Sequence, residues 1–84
     1  MEYYQIGQRI RYVRRLRDLT QAQLAELVGC SVSFVGHIER GTRKLSVETL
    51  YQICNSLQIS ADFILNLHKN ACLNDTIGAR QLTL

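Results

Sequence analysis

The sequence predicts an all-α fold, a compact bundle of five short helices, and three observations carry that prediction. Apolar residues recur at spacings of three and four along most of the chain, the period of a helix with one buried face. Hydroxyl residues stand at the head of four of these periodic segments, at Thr20, Ser31, Ser46 and Ser60, where a side-chain oxygen can accept from the otherwise unpaired amides of a first turn. Strand signals are nearly absent: ARQLTL at the end is too short and isolated to count.

There is no proline, so boundaries are read from caps, glycines and periodicity. The first helix is expected over roughly residues 4–18, with Ile6, Ile10 and Val13 as its apolar stripe and arginines on either side. Residues 20–41 read as two short helices around a tight turn. Thr20 and Gln23 have the spacing of a capping box, and Leu19 with Leu24 and Cys30 with Val35 have that of hydrophobic staples. Gly29 stands between the two helices, where a left-handed backbone costs glycine almost nothing. In the second of the pair Val35 and Ile38 point inward, while Ser33, Gly36, His37 and Arg40 fall at i, i+3, i+4 and i+7 on a polar, nearly flat face. This is the outline of a helix-turn-helix, and it points to DNA.

Ser46 is expected to cap a fourth helix, SVETLYQICNSLQ, with Leu45 and Leu50 as a staple and Val47, Leu50, Cys54 and Leu57 on one face. Ser60 is expected to cap a fifth, with Ile59 and Ile64 as its staple and Phe63 and Leu67 as further apolar contacts. The longest loop is GTRKL, between the third and fourth helices. After His68 the pattern weakens. A domain over residues 1–68 is followed by a tail, 69–84, that prolongs the fifth helix, pairs with a partner chain or is disordered.

Eighty-four residues make one small domain, near the lower limit for a core that folds without disulfides or metal, with little room for an active-site cleft. No run is long enough to cross a bilayer, and MEYYQIGQRI has no secretory character, so a cytoplasmic protein is expected. Cys30, Cys54 and Cys72 are too widely spaced for a zinc or redox pair. Cys30 and Cys54 read as small core residues, and Cys72 as a free thiol. Cys72 and His68 at i, i+4 are too few ligands for a structural metal, so neither metal nor cofactor is expected. His37 and His68 lie far apart and no nucleophile motif surrounds either, so catalysis is not expected. The net charge of +3 is distributed unevenly, with Arg9, Arg11, Arg14, Arg15 and Arg17 in one cluster and Arg40, Arg43 and Lys44 in another. Such clustering is the footprint expected for a polyanionic partner.

With LTQAQLAELVG, SVSFVGHIERG and SVETLYQICNSLQISADFIL in this order and spacing, residues 6–67 resemble the Cro/repressor-type (XRE) family of helix-turn-helix DNA-binding proteins. The resemblance implies a lambda-repressor-like domain whose third helix lies in the major groove of double-stranded DNA. It carries base reading to Val32, Ser33, Gly36 and His37. Ser33 can donate or accept at a base edge, Val32 can touch a thymine methyl and His37 can donate to a purine acceptor. It carries phosphate contact to Gln21, Ser31, Phe34, Arg40, Arg43 and Lys44, and a structural ion pair to Arg14 and Glu39. Local alternatives stay open: Val32 and Gly36 as packing residues, Phe34 against a sugar or within the protein, Arg43 and Lys44 as a solvated loop.

The expected function is a sequence-specific transcriptional regulator, a small dimeric repressor or autoregulator reading a palindromic operator. Its homodimer is expected to form through the fourth to fifth helices and the tail, because Phe63, Ile64, Leu65 and Leu67 cannot all face one small core. A phage-like repressor, a restriction-modification controller and an antitoxin all fit. A protein-interaction module is the competing class, separable by a flat dependence of binding on salt.

Overall fold

A computed structural model describes residues 2–65 and places in them five helices: α1 (Tyr3–Leu16), α2 (Gln21–Val28), α3 (Val32–Arg40), α4 (Val47–Leu57) and α5 (Ala61–Leu65). The expectations attached to Leu67, His68, Cys72 and the 69–84 tail lie outside the described residues.

The caps form as local chemistry predicts. The Thr20 hydroxyl accepts from the Gln23 amide at 3.0 Å, and the Gln23 side chain accepts from the Thr20 amide at 2.8 Å, closing the capping box. Ser31, Ser46 and Ser60 accept from the amides of Phe34, Thr49 and Phe63. Each staple residue before a cap (Leu19, Cys30, Leu45, Ile59) packs against the core, and each partner inside the helix (Leu24, Val35, Leu50, Ile64) is buried. Because the Thr20 box satisfies two orphan donors at once, Thr20→Ala is expected to lower stability by about 1 kcal/mol in chemical denaturation, without changing the fold.

Four helices close through a residue in the left-handed conformation, at Asp18, Gly29, Gly41 and Gln58. At all four of these ends the following amide reaches back five residues: Leu19 to Arg14, Cys30 to Ala25, Thr42 to His37 and Ile59 to Cys54. The α1 end corrects the expected boundary, since the chain turns at Asp18 and the helix stops at Leu16. Neither Asp18 nor Gln58 announces itself in the sequence, because non-glycine residues seldom take this conformation.

Ile6, Ile10 and Val13 of α1, Leu24 and Ala25 of α2, Val35 and Ile38 of α3, Leu50, Ile53, Cys54 and Leu57 of α4 and Ile64 of α5 form one core. Val47 does not belong to it. It is 83% exposed, whereas Ile53, which was not expected on the inward face, is buried. Burial pushes the pKa of both described cysteine thiols up, which favours the protonated form over the thiolate. No helix among the described residues is long and apolar enough to cross a membrane.

α1 crosses α3 at Gly7, which is buried. A Cβ at that position would stand 2.2 Å from the Ile38 carbonyl oxygen and 2.6 Å from that of Glu39, so the two backbones meet without a side chain between them. The neighbouring Gln8 side chain donates to the Glu39 carbonyl at 3.1 Å, satisfying one of the acceptors left open at the end of α3.

Candidate nucleic-acid interface

The last turn of α3 is held from below by a buried ion pair. Arg14 Nε donates to Glu39 Oε2 at 2.6 Å and Arg14 Nη2 to Oε1 at 3.1 Å, a two-bond fork. Arg14 Nη1 also donates to the Leu19 carbonyl at 2.7 Å, and Gln21 Nε2 donates to Glu39 Oε1 at 3.0 Å. A charge taken from water is costly unless its hydrogen bonds are met, and here both oxygens of Glu39 are engaged. The pair therefore ties α1, the entry to α2 and the end of α3 into one unit.

This network divides the first arginine cluster. Arg9 donates to the Ile64 carbonyl at 2.8 Å, and Arg17 to the carbonyls of Leu57 at 2.8 Å and Gln58 at 3.2 Å, so these cations cap the ends of α5 and α4. With Arg14 spent on Glu39, three of the five arginines that read as a polyanion footprint are structural. Arg15, Arg40, Arg43 and Lys44 are exposed.

The base-reading candidates fall in two environments. Ser33 is exposed and Val32 is 47% exposed, so Val32 is not absorbed by packing on α2. His37 is half-buried and Gly36 is buried. A Cβ on Gly36 would meet the Arg40 guanidinium at 3.1 Å, so the Arg40 side chain lies back over Gly36 and covers the middle of the face that periodicity drew as flat.

The phosphate candidates are similarly sorted. Ser31 is exposed, and its hydroxyl caps α3. The Gln21 side chain turns inward to Glu39, leaving the first-turn amides of α2, with their positive dipole end, as the local attraction for an anion. Phe34 packs against the core, and its ring carries the Arg43 guanidinium 5.1 Å from the centroid. This stacking pre-orients a weakly hydrated cation beside α3. Lys44 follows on the same loop.

Three residues that organise this surface were not singled out from the sequence: Gly7, Gln8 and Thr42. Gly7 offered one signal, a glycine inside an amphipathic helix, where it costs about 1 kcal/mol relative to alanine unless a close approach requires it.

A five-helix bundle whose second and third helices form a capped pair, with an exposed polar side on the third, is the architecture of a helix-turn-helix DNA-binding domain. The helix-turn-helix family HTH_3 matches residues 10–64, and the chain belongs to this Cro/repressor-type (XRE) family of DNA-binding proteins. It is 45% identical over 56 residues to the HTH-type transcriptional regulator YazB of Bacillus subtilis, covering 67% of this chain and 81% of that protein. It is 40% identical over 60 residues to the immunity repressor protein of Bacillus phage phi105, covering 71% of this chain but only 42% of the repressor. Its structure is similar to that of the restriction-modification controller protein C.AhdI from Aeromonas hydrophila, with a TM-score of 0.71 and 34% identity, over 74% of this chain and 94% of that one. It also resembles the P22 c2 repressor protein in complex with a synthetic operator, with a TM-score of 0.67 and 32% identity, over 70% and 89% of the two chains.

Proposed function

We propose that the chain is a sequence-specific transcriptional regulator, a small repressor or autoregulator that reads a palindromic operator as a homodimer. Residues 1–68 are the DNA-binding unit in this reading, and α3 enters the major groove. The observation that carries it is the locked α3: its inner side is fixed by the Arg14–Glu39 pair, while Val32, Ser33 and Arg40 stay exposed beside Arg43 and Lys44. A rigid helix with polar groups outward and cations flanking it has the parts that base reading and phosphate anchoring require. Val32, Ser33 and His37 are assigned to bases, and Gly36 to close approach beneath Arg40. Gln21, Ser31, Phe34, Arg40, Arg43 and Lys44 are assigned to the backbone, with Phe34 acting through the cation on its ring.

One α3 is a short reading element, and two related by a twofold axis supply the specificity that one lacks. Support for a dimer through α4 and α5 comes from an apolar groove of about 590 Å³ lined by Val47, Leu50, Tyr51, Cys54, Ile59 and Ala61. Tyr51 at its rim is 69% exposed, and Phe63 on α5 is 42% exposed. Repressor and controller roles are supported by the names of the relatives, which include the phi105 immunity repressor and the C.AhdI controller.

The test is selection of bound duplexes from a random pool. A palindromic consensus is expected, its half-sites separated by about one DNA turn, roughly 34–36 Å. Affinity for that site should fall steeply with salt, and Arg43→Ala or Lys44→Ala should each reduce the logarithmic salt slope by about 1 while weakening all sequences alike. A flat salt response would move the chain to the protein-interaction class. In sedimentation on the selected duplex two copies should bind per site, and Tyr51→Glu, which puts a charge in the groove, should leave one copy on a half-site. Two copies bound by Tyr51→Glu would place the dimer contact elsewhere.

A further inference from the structure

The geometry points to His37 as a hydrogen-bond acceptor toward DNA, held by Thr42 in the tautomer that carries its proton on Nδ1. The inference rests on the reading above, in which α3 lies in the major groove.

Thr42 Oγ1 stands 2.8 Å from His37 Nδ1 and 3.2 Å from the carbonyl oxygen of the same histidine. A hydroxyl has one proton to give and lone pairs to receive with, while a carbonyl oxygen only receives. Both contacts are satisfied in one arrangement alone: the hydroxyl donates to the carbonyl, and Nδ1–H donates to the hydroxyl oxygen. In the reverse arrangement the hydroxyl proton goes to Nδ1, and two oxygens face each other lone pair to lone pair.

The position of Thr42 is set by the backbone. Its amide donates to the same His37 carbonyl at 3.0 Å, while the amide of Gly41, left-handed at φ +76°, donates to Ile38 at 3.1 Å. This is the ordinary left-handed closure of a helix, so the hydroxyl is delivered to His37 whether or not DNA is present. The imidazole is thereby oriented before binding, which reduces the ordering cost of any contact it makes.

With the proton on Nδ1, the Nε2 of the neutral ring is a bare lone pair, and it has no partner among the described residues. In the major groove the exposed donors are the exocyclic amines of adenine and cytosine, whereas guanine offers N7 and O6 and thymine O4, all acceptors. His37 therefore selects adenine or cytosine at its position and disfavours guanine. A histidine read by type alone, as a donor to a purine acceptor, favours guanine or adenine instead, so guanine and cytosine separate the two readings.

Two measurements on the full chain test this. Long-range ¹H–¹⁵N spectra, recorded with the ring neutral, should show the Nδ1–H pattern for His37 in the wild type and in Thr42→Ser, and the Nε2–H pattern in Thr42→Val. Duplex selection should give adenine or cytosine at one position in each half-site, enriched roughly tenfold over guanine as a single well-placed base contact allows. That preference should be kept by Thr42→Ser and weakened or shifted toward guanine by Thr42→Val. An Nε2–H pattern in the wild type overturns the tautomer assignment whatever the DNA result. Guanine at the position that His37→Ala relaxes overturns the acceptor role. A consensus unchanged by His37→Ala, with the Nδ1–H pattern intact, instead overturns the placement of His37 in the groove, so the two failures are distinguishable.

Discussion

Gly7→Ala is expected to abolish the cooperative thermal transition of this domain, or to lower its midpoint further than any other single methyl addition in α1. The added Cβ would lie 2.2 Å from the Ile38 carbonyl oxygen and 2.6 Å from that of Glu39. Neither obstacle is a side chain that can rotate away, so α1 and α3 must separate. Overpacking a core costs about 1–3 kcal/mol when side chains can adjust, and more when backbone must move. The roughly 1 kcal/mol of helix propensity gained over glycine does not offset this. A net loss of about 3 kcal/mol is a large fraction of the stability of so small a domain. Gln5→Ala, an exposed alanine two residues earlier, should leave the transition nearly unchanged, and calorimetry of the two variants checks the contrast. A Gly7→Ala domain as stable as the wild type would mean that the α1–α3 crossing is not a backbone contact.

Glu39→Gln is expected to cost about 3–5 kcal/mol, the penalty for stranding one member of a buried pair. The substitution keeps shape but removes charge from beneath the Arg14 guanidinium, and it sets an amide donor against one of the donors that Arg14 or Gln21 now direct at the carboxylate. For a domain of this size the loss corresponds to a midpoint lower by more than about 10 °C. Arg14→Met should cost a comparable amount, because it leaves Glu39 charged and 2% exposed. The double variant Arg14→Met with Glu39→Leu should recover most of the loss, since an apolar pair has no charge to desolvate. Additive losses in this double-mutant cycle would show that the two residues act independently and that the short contact contributes little. DNA affinity should fall in Glu39→Gln more than stability alone explains, because α3 loses the anchor of its last turn.

Much of the fold was legible in the sequence because its signals are local. A cap spans three residues, a staple five and a helical stripe repeats within a turn, so Thr20, Ser31, Ser46 and Ser60 with their apolar partners fixed four helix starts before any tertiary contact was considered. Arg14 and Glu39 were reached through family resemblance rather than through chemistry visible along the chain. The cations were less readable. Arg9, Arg14 and Arg17 look alike as exposed charge in a run, yet their acceptors lie 55, 25 and 40 residues away.

The sequence by itself determined the all-α class, the helix-turn-helix pair and the polar residues of α3, since each depends on interactions within one or two turns. Tertiary structure alone decided which arginines remain exposed and why Gly7 cannot carry a side chain. These depend on where carbonyls and carboxylates distant in sequence come to rest, and only the packing of the helices against one another sets those positions.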